Sequence, residues 1–176
     1  NELASAMVAN WFLQNGHRRC AMLLSMPEFH SVISRKRSFL RQLQLAGYEA
    51  VLLDCHTRSG ESSTGNAYRV FTEYVREHGC NFTALFCDAD LGALGVLKAC
   101  HDLGIRVPEQ LSVFGFDNLP ECGYFQPSLS SVDQNISQWA VETEKILEAR
   151  FHHDERTSIQ TSVVPKLVFR DSTCAV

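Results

Sequence analysis

The chain has 176 residues, 45% of them hydrophobic, with a formal net charge of -4. That length and apolar content are enough to build a core and exclude a disordered chain, and the acidic balance leaves no electrostatic footprint for nucleic acid within these residues. No apolar run approaches the roughly 20 residues a membrane span needs, no secretory leader pattern opens the chain, and seven scattered cysteines without CxxC spacing fit small buried hydrophobes in a reducing cytoplasm better than a disulfide framework or a zinc site.

Residues 2–15 place Leu3, Ala6, Met7, Trp11 and Leu13 along one helical stripe, and Gly16 ends it. Cys20–Leu24 is a short apolar run of the kind that forms a strand buried on both faces. Ser34–Ala46 repeats Phe39, Leu40, Leu43 and Ala46 at helical spacing up to Gly47, and Glu49–Leu53 reads as the next strand. The unit then recurs. Gly65–His78 is a helix with Ala67, Val70, Phe71, Tyr74 and Val75 inward, followed by the strand Thr83–Cys87; Ala89–Leu103 is a helix stopped by Gly104, followed by the strand Leu111–Phe114.

Helices of about 12 to 15 residues alternating with short apolar strands predict an α/β fold, with right-handed crossovers and a parallel sheet covered on both faces. After Asp117 the alternation fails: Leu119–Pro127 reads as loop, Leu129–Val132 as a very short strand, Ile136–Phe151 as a helix with Ile136, Trp139, Ala140, Thr143, Ile146 and Leu147 on one side. His152–Arg156 reads as a polar turn, and Ser162–Val164 and Lys166–Phe169 as two short closing strands. Such an excursion suggests a chain that leaves one lobe, contributes to another and returns.

Catalysis finds no support in the pattern. No G-x-S-x-G elbow, P-loop, G-x-G-x-x-G or H-E-x-x-H occurs, the seven histidines show no ligand spacing beyond the adjacent His152-His153, and no cofactor is expected. Asp117 stands out instead, because it follows the strand Leu111–Phe114, and open α/β sheets place ligand contacts at the carboxyl ends of their strands. The competing role for it is an Asx-type cap of the next turn.

Five stretches agree in order and spacing with one family: GHRRCAML (16–23), RKRSFLRQL (35–43), FCDADLGALGVLKACHDLGIRVPEQLSVFGFDN (86–118), PSLSSVDQ (127–134) and PKLVFRDST (165–173). On these the chain resembles the effector-binding core of the lactose-repressor/galactose-repressor family of bacterial transcription regulators, whose fold is periplasmic-binding-protein-like. The resemblance implies that residues 1–118 form the C-terminal lobe, 119–160 the crossover and a contribution to the N-terminal lobe, and 161–176 the return. It also implies that the family's helix-turn-helix, the only route to operator DNA, and most of the N-terminal lobe lie outside this sequence. Partners on this reading are a small-molecule effector (a sugar, sugar phosphate or nucleobase), operator DNA through that absent head, and a second copy in a homodimer.

Four residues match the family's cleft positions. Arg35, at the start of the helix Ser34–Ala46, fits R-x-x-G-F with Ser38 in the glycine's place, and would hold the effector through its planar set of donors. The bland role for Arg35, Lys36 and Arg37 is a solvated helix start. Asp117 occupies the acidic position of G-[FY]-D-[DN] and would accept hydroxyl or ring N–H groups. Asp90 matches the family's aspartate, though capping and the helix dipole are the better explanation of an acid there. Gln134 matches a hinge and cleft glutamine. Two departures weaken the ligand set: Ala89 stands where many members have asparagine, and RSGESST (58–64) offers no aromatic. The alternatives are a periplasmic-type sugar-binding protein, which seven unpaired cysteines and the R-D-S-T ending disfavour, and a flavodoxin-like enzyme or receiver domain.

Overall fold

The alternation of buried strands and amphipathic helices is realised as α1 (Glu2–Gln14), β1 (Cys20–Leu24), α2 (His30–Leu45), β2 (Ala50–Asp54), α3 (Ser63–His78), β3 (Ala84–Cys87), α4 (Asp90–Leu103), β4 (Ser112–Phe116), β5 (Ser130–Asp133), α5 (Ile136–His152) and β6 (Lys166–Val168). This is a computed structural model, and it describes residues 1–58, 60–152 and 161–176. The polar turn expected at 152–156 lies, from residue 153 on, outside the described residues. The stretch Leu119–Pro127 contains a one-turn 3-10 helix at Pro120–Gly123, and Ser162–Val164, expected as a strand, joins no ladder.

Six strands form one sheet in the order β2-β1-β3-β4-β5-β6. All neighbours run parallel except β5 and β6, which are antiparallel. The strand expected to open the excursion, β5, is therefore seated in this sheet, with Phe114 opposite Ser130 and Phe116 opposite Val132. The order reverses direction between β1 and β3. At such a switch point the two crossovers lead away on opposite faces and leave a crevice beyond the strand ends.

β1, β3 and β4 are buried along their whole lengths, which is why they read as continuous apolar runs. Alternate residues feed two separate cores. Met22, Phe86, Phe114 and Phe116 pack with Val8 and Phe12 of α1 and Phe39 and Leu43 of α2; Leu23, Leu85 and Val113 pack with Phe71 of α3 and Val96 and Cys100 of α4. In the first core the rings of Phe12, Phe39, Phe86 and Phe116 contact one another in sequence, with centroids 5.2 to 6.4 Å apart. This column runs from α1 to the carboxyl end of β4.

The inward face of α1 differs from the expected stripe. Ala4, Ser5, Val8, Ala9 and Phe12 are buried, whereas Leu3 is 55% exposed. Apolar residues lie almost all round this helix, so periodicity alone does not choose a face; the shape of the groove beside α2 does. α3 buries Ala67 and Phe71 as expected, and its start is fixed by Ser62, whose Oγ accepts the Gly65 N–H at 3.1 Å. The end of the chain is stitched along the sheet: Val113 N donates to Ser172 O at 2.8 Å, Cys174 N to Ser112 Oγ at 3.0 Å, and His17 Nε2 contacts Cys174 O at 2.9 Å.

α5 is the exception to this packing. Ile136, Trp139, Leu147 and Phe151 are 50 to 85% exposed. No helix among the described residues is long and apolar enough to cross a membrane.

α3 and α4 approach closely at Gly95, where an added Cβ would lie 2.2 Å from Thr64 O and 2.9 Å from Tyr68 N. Backbone cannot yield as a side chain can, so Gly95→Ala should destabilise the fold by about 1–3 kcal/mol. Chemical denaturation measures this. An unchanged midpoint would show that the two helices are not held at this distance.

Candidate functional site

At the switch point the carboxyl ends of β1 and β3 continue into Ser25 and Asp88. Ser25 N donates to both Asp88 oxygens at 3.0 Å, and Ser25 Oγ donates to Asp88 Oδ1 at 2.7 Å. Burial pushes the Asp88 carboxyl above its ordinary pKa, against these hydrogen bonds and the charge of Arg35. This pair closes the floor of a 200 Å³ hollow walled by Met26, Phe29, Ser31, Val32, Arg35, Ser63 and Ala89.

Arg35 is not part of a solvated helix start. α2 begins at His30, four residues earlier than periodicity suggested, so Arg35 lies in the second turn and faces inward, 8% exposed. Its Nε donates to Asn1 Oδ1 at 2.9 Å, Nη1 donates to the Asp88 carbonyl, and Cζ sits 3.5 Å above the Phe116 ring. Stacking and two directed hydrogen bonds hold the guanidinium where a flexible ammonium would wander. Ser38, in the place of the family's glycine, donates to Glu2 O at 2.7 Å and ties α2 to α1.

Asp117 follows β4 on the same rim. Its Oδ1 accepts from Gln134 Nε2 at 2.7 Å, and its second oxygen has no hydrogen bond among the described residues. Burial raises its pKa to about 6, opposed by Arg35 and reinforced by Asp90. Gln134 lines a second hollow of 120 Å³ with Asn1, Phe116 and Trp139. Phe116 faces this hollow and Arg35 the other, so their stack is the wall between them. Three of the four sequence-matched residues, Arg35, Asp117 and Gln134, thus meet at one end of the sheet.

Asp90 is different. It is fully buried, and its carboxylate accepts from Ser131 Oγ at 2.6 Å, Leu119 N at 2.8 Å and Cys122 Sγ at 3.2 Å. These three donors occupy both carboxylate oxygens, and no part of the residue is exposed. Nor does it cap its own helix: the N-cap is Ala89, and the carboxylate turns to the loop after β4, where free backbone and hydroxyl donors lie within reach. Gly115 makes room for it, since a Cβ there would sit 2.2 Å from Asp90 Oδ1.

Motif matching missed Ser25, Asp88 and Phe29. Phe29, 53% exposed in the β1–α2 connection, is the aromatic in the wall of the first hollow. The rule that ligands gather at strand ends could have singled out the residues directly after Cys20–Leu24 as well as those after Leu111–Phe114. Three further hollows, 290 Å³ against α4, 240 Å³ between α2 and β2, and 630 Å³ along α5, are lined by other residues. Among the described residues no cluster of His, Cys, Asp or Glu could hold a metal ion.

Comparison with known proteins places this fold. The pattern of the periplasmic binding protein-like domain matches residues 9–173. The chain belongs to that family. It is 28% identical over 166 residues to the HTH-type transcriptional repressor PurR of Erwinia tasmaniensis, a match covering 94% of this chain and 48% of that protein. Among solved structures it is similar to a LacI-type transcription regulator from Bifidobacterium animalis (27% identity, TM-score 0.81, covering 98% of this chain and 65% of that one) and to the Escherichia coli transcriptional repressor ascG (27%, 0.83, 99% and 62%). The chain therefore spans about half the length of the curated relatives it matches. These relatives are regulators, not enzymes.

The raised pKa of Asp117 has a consequence for stability. Between its ordinary 3.8 and about 6 the folded chain holds a proton that the unfolded chain has released, so this group's contribution to stability falls as pH rises through that window. Asp117→Asn keeps an acceptor for Gln134 and removes the titration. Its melting temperature should exceed the parent's at pH 7 and equal it near pH 4, by calorimetry across that range; a variant less stable than the parent at pH 7 would contradict the burial argument.

Proposed function

We propose that this chain is the effector-sensing part of a LacI-type transcription regulator. The observation that carries the reading is the convergence of Arg35, from α2, and Asp117, from the loop after β4, on one sheet end beside two hollows. A fixed guanidinium and a carboxylate with a spare oxygen suit a ligand rich in hydroxyl or ring N–H groups, such as a sugar or a nucleobase; a sugar phosphate would offer its phosphate to Arg35 and its hydroxyls to Asp117. The likeness to repressors favours this reading over a periplasmic-type sugar-binding protein.

In the same reading α5 belongs to a second lobe, whose apolar surface would cover Ile136, Trp139, Leu147 and Phe151. Effector bound between the lobes would favour their closed arrangement, and the closure would change how paired DNA-binding heads meet an operator. The decisive experiment is a thermal-shift screen of the whole protein against sugars, sugar phosphates and nucleobases. A selective ligand raises the melting temperature by preferring the folded state. Arg35→Ala and Asp117→Ala should each weaken that ligand's binding at least tenfold, and wild-type affinity in both variants would remove the site from this end of the sheet.

Homodimerisation is part of the proposal, and the outer face of α4 suits it. Tyr124 is 89% exposed, the next residue Phe125 lines a hollow with Leu94, Leu97, Lys98 and His101, and Leu91 of the same helix is 48% exposed. Uncovered aromatic and aliphatic surface of this kind marks an interface. Tyr124→Glu should shift the whole protein toward monomer in sedimentation equilibrium, weakening association at least tenfold; unchanged association would place the interface elsewhere.

A further inference from the structure

The backbone at the site is held in an unfavourable shape. Asp117 has φ 114° and Asn118 φ 54°, left-handed values that non-glycine residues rarely adopt and keep only when their surroundings over-determine them. The surroundings do so one N–H at a time. Asp117 N donates to Val132 O at 2.9 Å, Asn118 N to Ser131 Oγ at 3.0 Å, and Leu119 N to Asp90 Oδ2 at 2.8 Å. Ser131 Oγ in turn donates to Asp90 Oδ1. Two consecutive β5 residues and the first residue of α4 thus take three consecutive loop donors.

A second clamp comes from the far end of the chain. Arg170, just beyond β6, donates through Nη2 to Asn118 Oδ1 at 2.8 Å and through Nη1 to Leu129 O at 2.7 Å, while its own N–H donates to Ser130 Oγ at 2.8 Å. One guanidinium therefore joins the site loop, the entry to β5 and the exit from β6.

We propose that Asp90 and Arg170 are positioning residues for the loop Asp117–Leu119, and that the Arg170 clamp makes the seating of the returning strand β6 and the orientation of the Asp117 carboxylate a single state. Neither residue touches ligand; both act through the loop. The inference rests on reading Asp117 as a ligand residue, but its test needs no effector, so it stands or falls apart from the effector assignment.

The readout is the titration of the Asp117 carboxyl carbon by 13C NMR in the chain itself. The charged groups facing that carboxyl are Arg35 from α2, Asp88 from the end of β3 and Asp90 from α4, with neutral Gln134 as hydrogen-bond donor. Arg170→Gln and Ser131→Ala should each release the loop to water and move the titration midpoint at least half a pH unit toward that of an ordinary aspartate. Ser128→Ala is the control: it removes the two bonds between Ser128 and Asp171 of the same returning segment without touching Asn118, and should leave the midpoint in place. Where Arg170→Gln does not fold, Ser131→Ala carries the test. A parental midpoint in a folded Arg170→Gln or in Ser131→Ala, or an equal shift in Ser128→Ala, overturns the proposal.

Discussion

A carboxylate with no access to water holds the functional end of this sheet together. Burying an ionised group is unfavourable unless strong donors replace the water it loses, and Asp90 receives a hydroxyl, a backbone N–H and a thiol. Burial still raises its pKa, so the replacement is incomplete. In exchange, α4, the loop after β4, the 3-10 turn and β5 are fixed to one point. The missing side chain of Gly115 lets that point lie against the sheet, and the residue after it, Phe116, becomes the platform beneath Arg35.

The electrostatics of the rim follow from this scaffold. Arg35 lies among Asp88, Asp90 and Asp117, and each of the three acids is held above its ordinary range by burial, with Arg35 opposing the shift at Asp88 and Asp117. Asp88 and Asp90 spend their oxygens on protein donors; Asp117 spends only one. Of the three, only Asp117, in the loop with left-handed backbone, keeps an oxygen without a hydrogen bond among the described residues, and the network of buried polar bonds holds its loop in place. Aromatic contacts running through Phe12, Phe39, Phe86 and Phe116 set the height of the guanidinium from the opposite side.

Much of this was legible in the residues. The strands β1, β3 and β4 announce themselves as apolar runs because both faces are covered, and the start of α3 is written in Ser62. Asp117 and Arg35 could be singled out by strand-end position and by motif. Phe29 could not, since no local rule marks an exposed aromatic in a connection as the wall of a hollow. Asp90 carried a misleading signal: an acid at a helix start is ordinarily explained by the helix's own N–H groups, and only the proximity of Leu119 and Ser131, 29 and 41 residues away, redirects it.

Sequence by itself determined the α/β class and the alternation of elements, because the spacing of apolar residues and the turn residues between them are properties of the local chain; the resemblance to a family rested separately on five matching stretches. Tertiary structure decided which face of α1 is buried, where α2 begins, that β5 joins this sheet, and how deeply each of the four polar residues is buried. Those choices depend on contacts between segments far apart in the chain, and a side chain's direction is fixed by the donors it meets there rather than by its neighbours in sequence.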